Sequence, residues 1–143
     1  MTHFNPKHGL GTLVNHHAEG GELPGGQNAH ITPIYQTSSF RFPDTETGAG
    51  IFTGEVPGYY YTRIRNPNLD QLAQKIAVLE GLDLLRAEPQ RPPEQVVDGL
   101  VFASGMAAVS AAVLGRVKAG ETVITQQAIY SASHNLLKDL APQ

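Results

Sequence analysis

Tyr61 and Arg63 stand two residues apart inside the run "YYYTRIRNPN" at 59–68. A phenol and a guanidinium that close together offer a hydroxyl donor and a forked cation, a donor set that suits a phosphate. If the run is extended, Tyr59, Tyr61, Arg63 and Arg65 share one face, and Tyr60, Thr62 and Ile64 the other. The plainer alternative is a solvated arginine pair before a helix, with the tyrosines packed locally. The residues by themselves leave both open.

Ser104, Gly105 and Met106 form a second candidate, in "FASGMAA" at 102–108. An apolar segment ends at Ser104 and a helical pattern begins at Gly105. Glycine lets a ligand come close to the backbone. The first N–H groups of a helix have no partner inside it and favour an anion. The alternative is an ordinary strand-to-helix turn, since one glycine step is far short of a full phosphate-loop signature. Tyr130 is the third candidate. It lies at the C-terminal end of a second apolar segment, the edge at which open α/β sheets bind ligands. Its ring could stack on a flat ligand, or serve as a core or rim tyrosine.

Other reactive residues form no constellation. His3, His8, His16, His17 and His30 have no metal-ligand spacing, and cysteine is absent, so no metal is expected. Asp70, Glu80 and Glu121 read as helix-end or surface acids. No G-x-S-x-G elbow occurs, which leaves serine hydrolysis without support.

The elements that must position the candidates can be read from pattern. Residues 1–58 are rich in Gly, Pro, His and Thr, and "HITPIYQTSSFRFPD" at 30–44 reads as an extended arm with short strands at most. Residues 47–58 read as loop. Asn66 as cap and Pro67 at the first helical position then start a helix. Leu69, Leu72, Ile76 and Leu79 form its apolar stripe, and Gly81 stops it. Residues 82–98, with "RAEPQRPPEQ", read as an exposed loop. "GLVFAS" at 99–104 reads as a buried strand, 105–120 as an alanine-rich helix, "ETVITQQAIY" at 121–130 as beginning with a second apolar strand, and 131–141 as a helix capped by Ser131 or Ser133. Strand, helix, strand, helix is the order of a parallel α/β sheet.

Bulk properties narrow the function classes. The chain has 143 residues, 41% hydrophobic and 16% charged, enough for a core. A net charge of −3 gives no electrostatic footprint for nucleic acid. No apolar run reaches membrane-spanning length and no signal-like start is present, so a soluble cytoplasmic protein is expected.

Taken in order, "PIYQTSSFRF", "YYYTRIRNPN…LEG", "FASGMAA" and "AIY" strongly resemble the Cys/Met-metabolism (trans-sulfuration) family of pyridoxal-phosphate enzymes, from about Gly11 onward. The family includes cystathionine γ-synthases, cystathionine and methionine γ-lyases, and O-acetylhomoserine sulfhydrylases. The resemblance implies an α/β protein. Residues 1–65 would be an N-terminal arm and intersubunit phosphate loop, and 66–143 the start of a fold-type-I, aspartate-aminotransferase-like large domain with a mainly parallel sheet. It implies that Tyr61 and Arg63 bind the cofactor phosphate of a neighbouring subunit. Ser104, Gly105 and Met106 would lie around that phosphate in their own subunit. Tyr130 would stack on the pyridine ring and take part in proton transfer. Homodimers or homotetramers follow, as does a sulfur-containing or O-acylated homoserine-type substrate. The family's Schiff-base lysine corresponds to none of Lys7, Lys75, Lys118 and Lys138, so residues 1–143 alone are expected to be inactive. A free-standing, non-catalytic phosphate-binding module is the competing reading. Asn68 stands where the family usually has threonine, Ser131 where glycine is common, and Ala132 where many methionine γ-lyases carry cysteine. Residues 82–98 are longer than the usual connection.

Overall fold

The structure is a computed structural model that describes residues 4–18 and 30–140. The parts of the arm at 1–3 and 19–29, with His3, and the last residues 141–143 lie outside the described residues. The chain gathers into two compact units, Met1–Leu100 and Val101–Gln143.

The first unit is built from helices. α1 spans Leu10–His16, α2 Thr45–Thr53, α3 Pro67–Glu80 and α4 Leu82–Ala87, and a short 3-10 turn covers Pro93–Gln95. α3 begins as its sequence dictates. The Asn66 side chain accepts from the Asn68 N–H, and Pro67 occupies the first turn, where no N–H is needed. Its stripe is a different matter. Leu69, Leu72 and Ile76 share a face but are exposed, and only Leu79 of the four packs against the core. The core uses the other side of the helix. Leu13 of α1, Val78 of α3 and Leu85 of α4 are buried together, with Phe4, Leu79, Leu82, Val96 and Val97 against them.

Residues 82–98 are therefore not simply an exposed loop. The prolines prevent one continuous helix, as read, but Leu82 and Leu85 lie at helical spacing and form α4. Val96 and Val97 then fold back onto the core. Gly81 does end α3, yet not through a left-handed turn, since its φ is −93°. A Cβ there would lie 2.1 Å from Val97 Cγ1, so glycine is needed for the close approach of the returning chain.

The stretch read as loop at 47–58 contains most of α2. Asp44 caps that helix by accepting from the Thr47 N–H at 2.7 Å, and Gly54 closes it at φ +80°. Gly48, which looked like a breaker, is a packing site. A Cβ on it would come 2.9 Å from the Phe42 ring. Phe42 meets Phe52 edge-on at 5.9 Å, and Phe52 meets Tyr60 at 4.5 Å.

His17 follows α1, half-buried, and its imidazole is held below the ordinary 6.5 by burial and by the nearby Lys75 of α3. The unfolded chain takes up this proton more readily than the folded one. Stability is therefore expected to fall as the pH drops through 6.5 and to be flat in this respect above it. Thermal unfolding at about pH 7.5 and about pH 5.5 measures the slope, and His17→Gln should reduce it. An unchanged slope in that variant would remove His17 from the account.

The second unit carries α5, Gly105–Leu114, and α6, Ser131–Asn135, which continues as a π turn over Leu136–Leu140. α5 stops at Leu114, not at residue 120, and Gly120 instead sits at φ +88° in the following turn. Tyr130 occupies the N-cap position of α6, and neither Ser131 nor Ser133 caps it. The two expected strands are not formed. Residues 99–104 and 121–130 have no strand assignment, and the parallel sheet is absent among the described residues. Their apolar side chains lie open: Phe102 and Val123 are exposed, and Ile124 is 93% exposed. The physical reason is that a strand exists only by pairing. An apolar, β-branched segment fixes a preference, while the ladder needs a neighbour at about 4.8 Å.

Candidate phosphate-binding site

The two halves of the candidate site lie in different units and are described separately. In the first unit, the arm runs antiparallel to residues 60–62. Ser39 and Tyr61 form an isolated bridge, the Phe40 N–H donates to the Tyr60 carbonyl at 3.1 Å, and the Thr62 N–H donates to the Ser38 carbonyl at 2.9 Å. Thr62 Oγ1 also donates to the Thr37 carbonyl. The chain then turns. The Ile64 and Arg65 N–H groups both donate to the Tyr61 carbonyl, at 2.9 and 3.1 Å. This turn overrides the extended reading, in which Tyr59, Tyr61, Arg63 and Arg65 shared a face. They separate into two pairs instead.

The first pair is neutralised. Arg65 donates to Asp70 Oδ2 through Nε at 3.0 Å and through Nη2 at 2.6 Å, and its guanidinium lies 5.6 Å from the Tyr59 ring centre. Asp70 sits in the first turn of α3 and is more than a surface acid. The hydrogen bond to Asp70 raises the Arg65 pKa. Burial, and then the charge of Asp70, push the Tyr59 phenol up to about 12, so Tyr59 stays protonated. Phe40 packs on the same tyrosine at 5.5 Å.

The second pair is open. Arg63 stacks over Tyr61 at 5.2 Å, Tyr61 is 40% exposed, and no carboxylate pairs with Arg63 among the described residues. The two residues before Tyr61 are held in aromatic contacts, Tyr59 on Phe40 and Tyr60 on Phe52, and Thr62 after it is bonded to the arm. The turn thus leaves one phenol and, among the described residues, one uncompensated guanidinium open to an anion. Of the four aromatic and cationic residues, the structure leaves Tyr61 and Arg63 as the available pair.

In the second unit, Ser104 is the cap of α5. Its Oγ accepts from the Ala107 N–H at 3.1 Å, and its carbonyl accepts from Ala108 at 3.1 Å. The Gly105 and Met106 N–H groups at the helix start have no acceptor among the described residues. Beyond its own helix and chain neighbours, nothing lies within 4 Å of where a Gly105 Cβ would be, so the space beside this first residue of the helix is open. Met106 Sδ accepts from Ser133 Oγ at 3.6 Å, which ties the start of α5 to α6, the helix that Tyr130 caps. The Tyr130 ring is 68% exposed. Among the described residues no cluster of three metal-ligating side chains occurs, and no helix is long and apolar enough to cross a membrane.

What pattern reading missed is a set of amides. Asn66, buried at 3% exposure, and Asn68 both reach back to the arm. The signal was the Asn-Pro-Asn sequence, read only for its helix cap.

The class of protein follows from sequence likeness across nearly all of these residues. Residues 12–143 match the family described as Cys/Met metabolism PLP-dependent enzyme, and the chain belongs to that family. Among curated relatives it is 33% identical over 129 residues to an L-methionine gamma-lyase of Pseudomonas putida, covering 90% of this chain and 28% of that one. It is 35% identical over 111 residues to a homocysteine/cysteine synthase of Kluyveromyces lactis, covering 78% and 22%. An O-acetyl-L-homoserine sulfhydrylase of Leptospira meyeri is 34% identical over 127 residues, covering 85% and 26%. The chain thus spans about a quarter of the length of the curated relatives it matches. The family's cofactor is pyridoxal phosphate, and the residues present fit its phosphate: an unpaired forked cation in one unit, open backbone donors in the other.

Proposed function

We propose that the full-length protein is a pyridoxal-phosphate enzyme of sulfur amino-acid metabolism that catalyses γ-elimination or γ-replacement. The observation that carries this is family membership over residues 12–143. The open Tyr61–Arg63 pair agrees with it. In this reading residues 1–65 are the arm and phosphate loop, and 66–143 begin the α/β large domain. Segments 99–104 and 121–130 supply strands of its mainly parallel sheet. Each site takes Tyr61 and Arg63 from one subunit of a homodimer or homotetramer, and Ser104, Gly105, Met106 and Tyr130 from another. The protein is cytoplasmic.

Bound pyridoxal phosphate supplies an electron sink for carbanions at Cα and Cβ of an amino acid. The residues here anchor and orient it. Arg63 and Tyr61 of one subunit would hold the phosphate together with the Gly105 and Met106 N–H groups of another, and Ser104 would hold that helix start in place. Tyr130 would stack on the pyridine ring and move a proton at its hydroxyl. The group lost from Cγ of the substrate would be a thiol, a carboxylate from an O-acyl ester or a phosphate from an O-phosphoryl ester.

Sulfhydrylation of O-acetylhomoserine is a second reading, because an enzyme so named is as similar to this chain as the lyases are. The two are separable. Full-length protein loaded with pyridoxal phosphate is expected to release a thiol and a 2-oxo acid from methionine or cystathionine if elimination dominates. Consumption of O-acetylhomoserine only when sulfide is added would select the second reading. Cofactor retention with no turnover of any of these would overturn both.

A further inference from the structure

The two asparagines that flank Pro67 do more than start a helix. Asn68 Oδ1 accepts from the Tyr35 N–H at 2.7 Å, and Asn68 Nδ2 donates to the Pro33 carbonyl at 2.8 Å. Asn66 Nδ2 donates to the Tyr35 carbonyl at 3.0 Å and to Thr62 Oγ1 at 3.1 Å. Three backbone groups of the arm are thereby bonded by side-chain amides. These groups continue the line of Thr37, Ser38 and Phe40, which pair with Tyr60 and Thr62 on the other side of the turn.

The geometry has a simple cause. The turn at Tyr61–Ile64 takes the main chain away from the arm, so the ladder would end at Thr62. A side-chain amide carries a donor and an acceptor side by side, as a peptide group does. Asn68 therefore replaces the missing peptide, taking a carbonyl and an N–H two residues apart along one strand edge. The family's usual threonine has a single oxygen for both. Arm and turn are then fastened at both ends, and the turn has little freedom to swing.

We propose that Asn68 is a positioning residue, a surrogate peptide that pins the arm beyond the turn and so fixes where Tyr61 and Arg63 point. This rests on the reading of Tyr61 and Arg63 as phosphate ligands. Neither side chain touches Asn68; it acts through the arm and the Thr62–Asn66 contact.

The test is hydrogen exchange by mass spectrometry on full-length holoprotein, together with the dissociation constant for pyridoxal phosphate. Asn68→Ala is expected to speed exchange roughly tenfold in segments 33–40 and 60–65, and to leave the core segment 77–86 unchanged. Cofactor affinity should fall severalfold. Asn68→Asp keeps the acceptor for Tyr35, loses the donor for Pro33, and adds a charge favourable to the first turn of α3. It should loosen segment 33–40 without lowering the unfolding midpoint, which a purely structural role does not predict. Unchanged exchange in 33–40 in Asn68→Ala would overturn the clamp. Equal acceleration in 77–86 would reduce it to general stability and overturn positioning. So would a loosened arm with cofactor affinity intact, provided that Arg63→Ala loses affinity in parallel. If Arg63→Ala also has no effect, the phosphate reading fails. The clamp is then decided by segment 60–65 alone, upheld if that segment loosens and overturned if it does not.

Discussion

Arg63→Ala in the full-length protein is expected to weaken pyridoxal-phosphate binding by about ten- to a hundredfold, with little change in unfolding midpoint. A hydrogen bond to a charged group contributes about 1.5–3 kcal/mol, and about 1.4 kcal/mol is tenfold in affinity. Arg63 has no ion pair to lose among the described residues, so its removal leaves no buried charge behind. Arg65 is the control. It is bonded to Asp70 and stacked near Tyr59, and its side chain is 54% exposed. Arg65→Ala should therefore leave cofactor affinity close to normal and change stability by no more than about 1 kcal/mol. Arg63→Lys should fall between, because an ammonium keeps the charge but not the fork. Equilibrium dialysis or fluorescence titration with pyridoxal phosphate measures all three. Equal affinity in wild type and Arg63→Ala would remove Arg63 from the phosphate site. A larger loss in Arg65→Ala than in Arg63→Ala would reverse the assignment.

The second large effect is in the core. Leu85→Ala is expected to destabilise the first unit by about 2–5 kcal/mol, read as a fall in the urea midpoint. Leu85 is 1% exposed and packs with Leu13 and Val78. Truncation removes its buried methyl groups and leaves a space bounded by α1, α3 and α4, which cannot all close in. Against a typical total of about 5–15 kcal/mol, that is a large share. Its neighbour Leu84 is 58% exposed, and Leu84→Ala should change stability by less than about 0.5 kcal/mol. If the two leucines behave alike, α4 does not belong to the core. The segment 82–98 would then revert to the exposed loop suggested by its prolines.

The contrast between these leucines illustrates how far pattern reading reaches. Leu84 and Leu85 are identical in type and adjacent, and propensity cannot separate them. Which one is buried depends on where Val96 and Val97 return, and that return depends on Gly81 lacking a Cβ. Likewise the stripe Leu69, Leu72, Ile76 is a correct statement about one helix face, yet the core of this unit was built on Val78 and Ala77. Periodicity tells which residues share a face. It does not tell which face meets another element.

The candidate phosphate site divides in the same way. Tyr61 and Arg63 were legible as a donor set, and the ordered motifs around them were enough for the family. Their separation from Tyr59 and Arg65 was not legible, because alternation assumes an extended strand. Two N–H groups closing on the Tyr61 carbonyl replaced that strand with a turn. Glycines misled in the opposite direction: "TGAGIFTG" contains a helix because Asp44 caps it and Phe42 and Val56 pack where Cβ atoms would stand.

By itself, the sequence determined some of the features that rest on near neighbours in the chain. Asn66 and Pro67 start α3 because cap and first turn are contiguous. Ser104 caps α5 for the same reason, and the motif order fixes the family. Tertiary structure decided which of two arginines is left open, since Asp70 reaches Arg65 only once α3 has formed and the turn has closed. It also decided that the Asn66 and Asn68 side chains bond the arm, and that segments 99–104 and 121–130 form no strands among the described residues. A cap needs only its own helix, whereas an ion pair, a clamp or a sheet needs a partner that folding must bring to it.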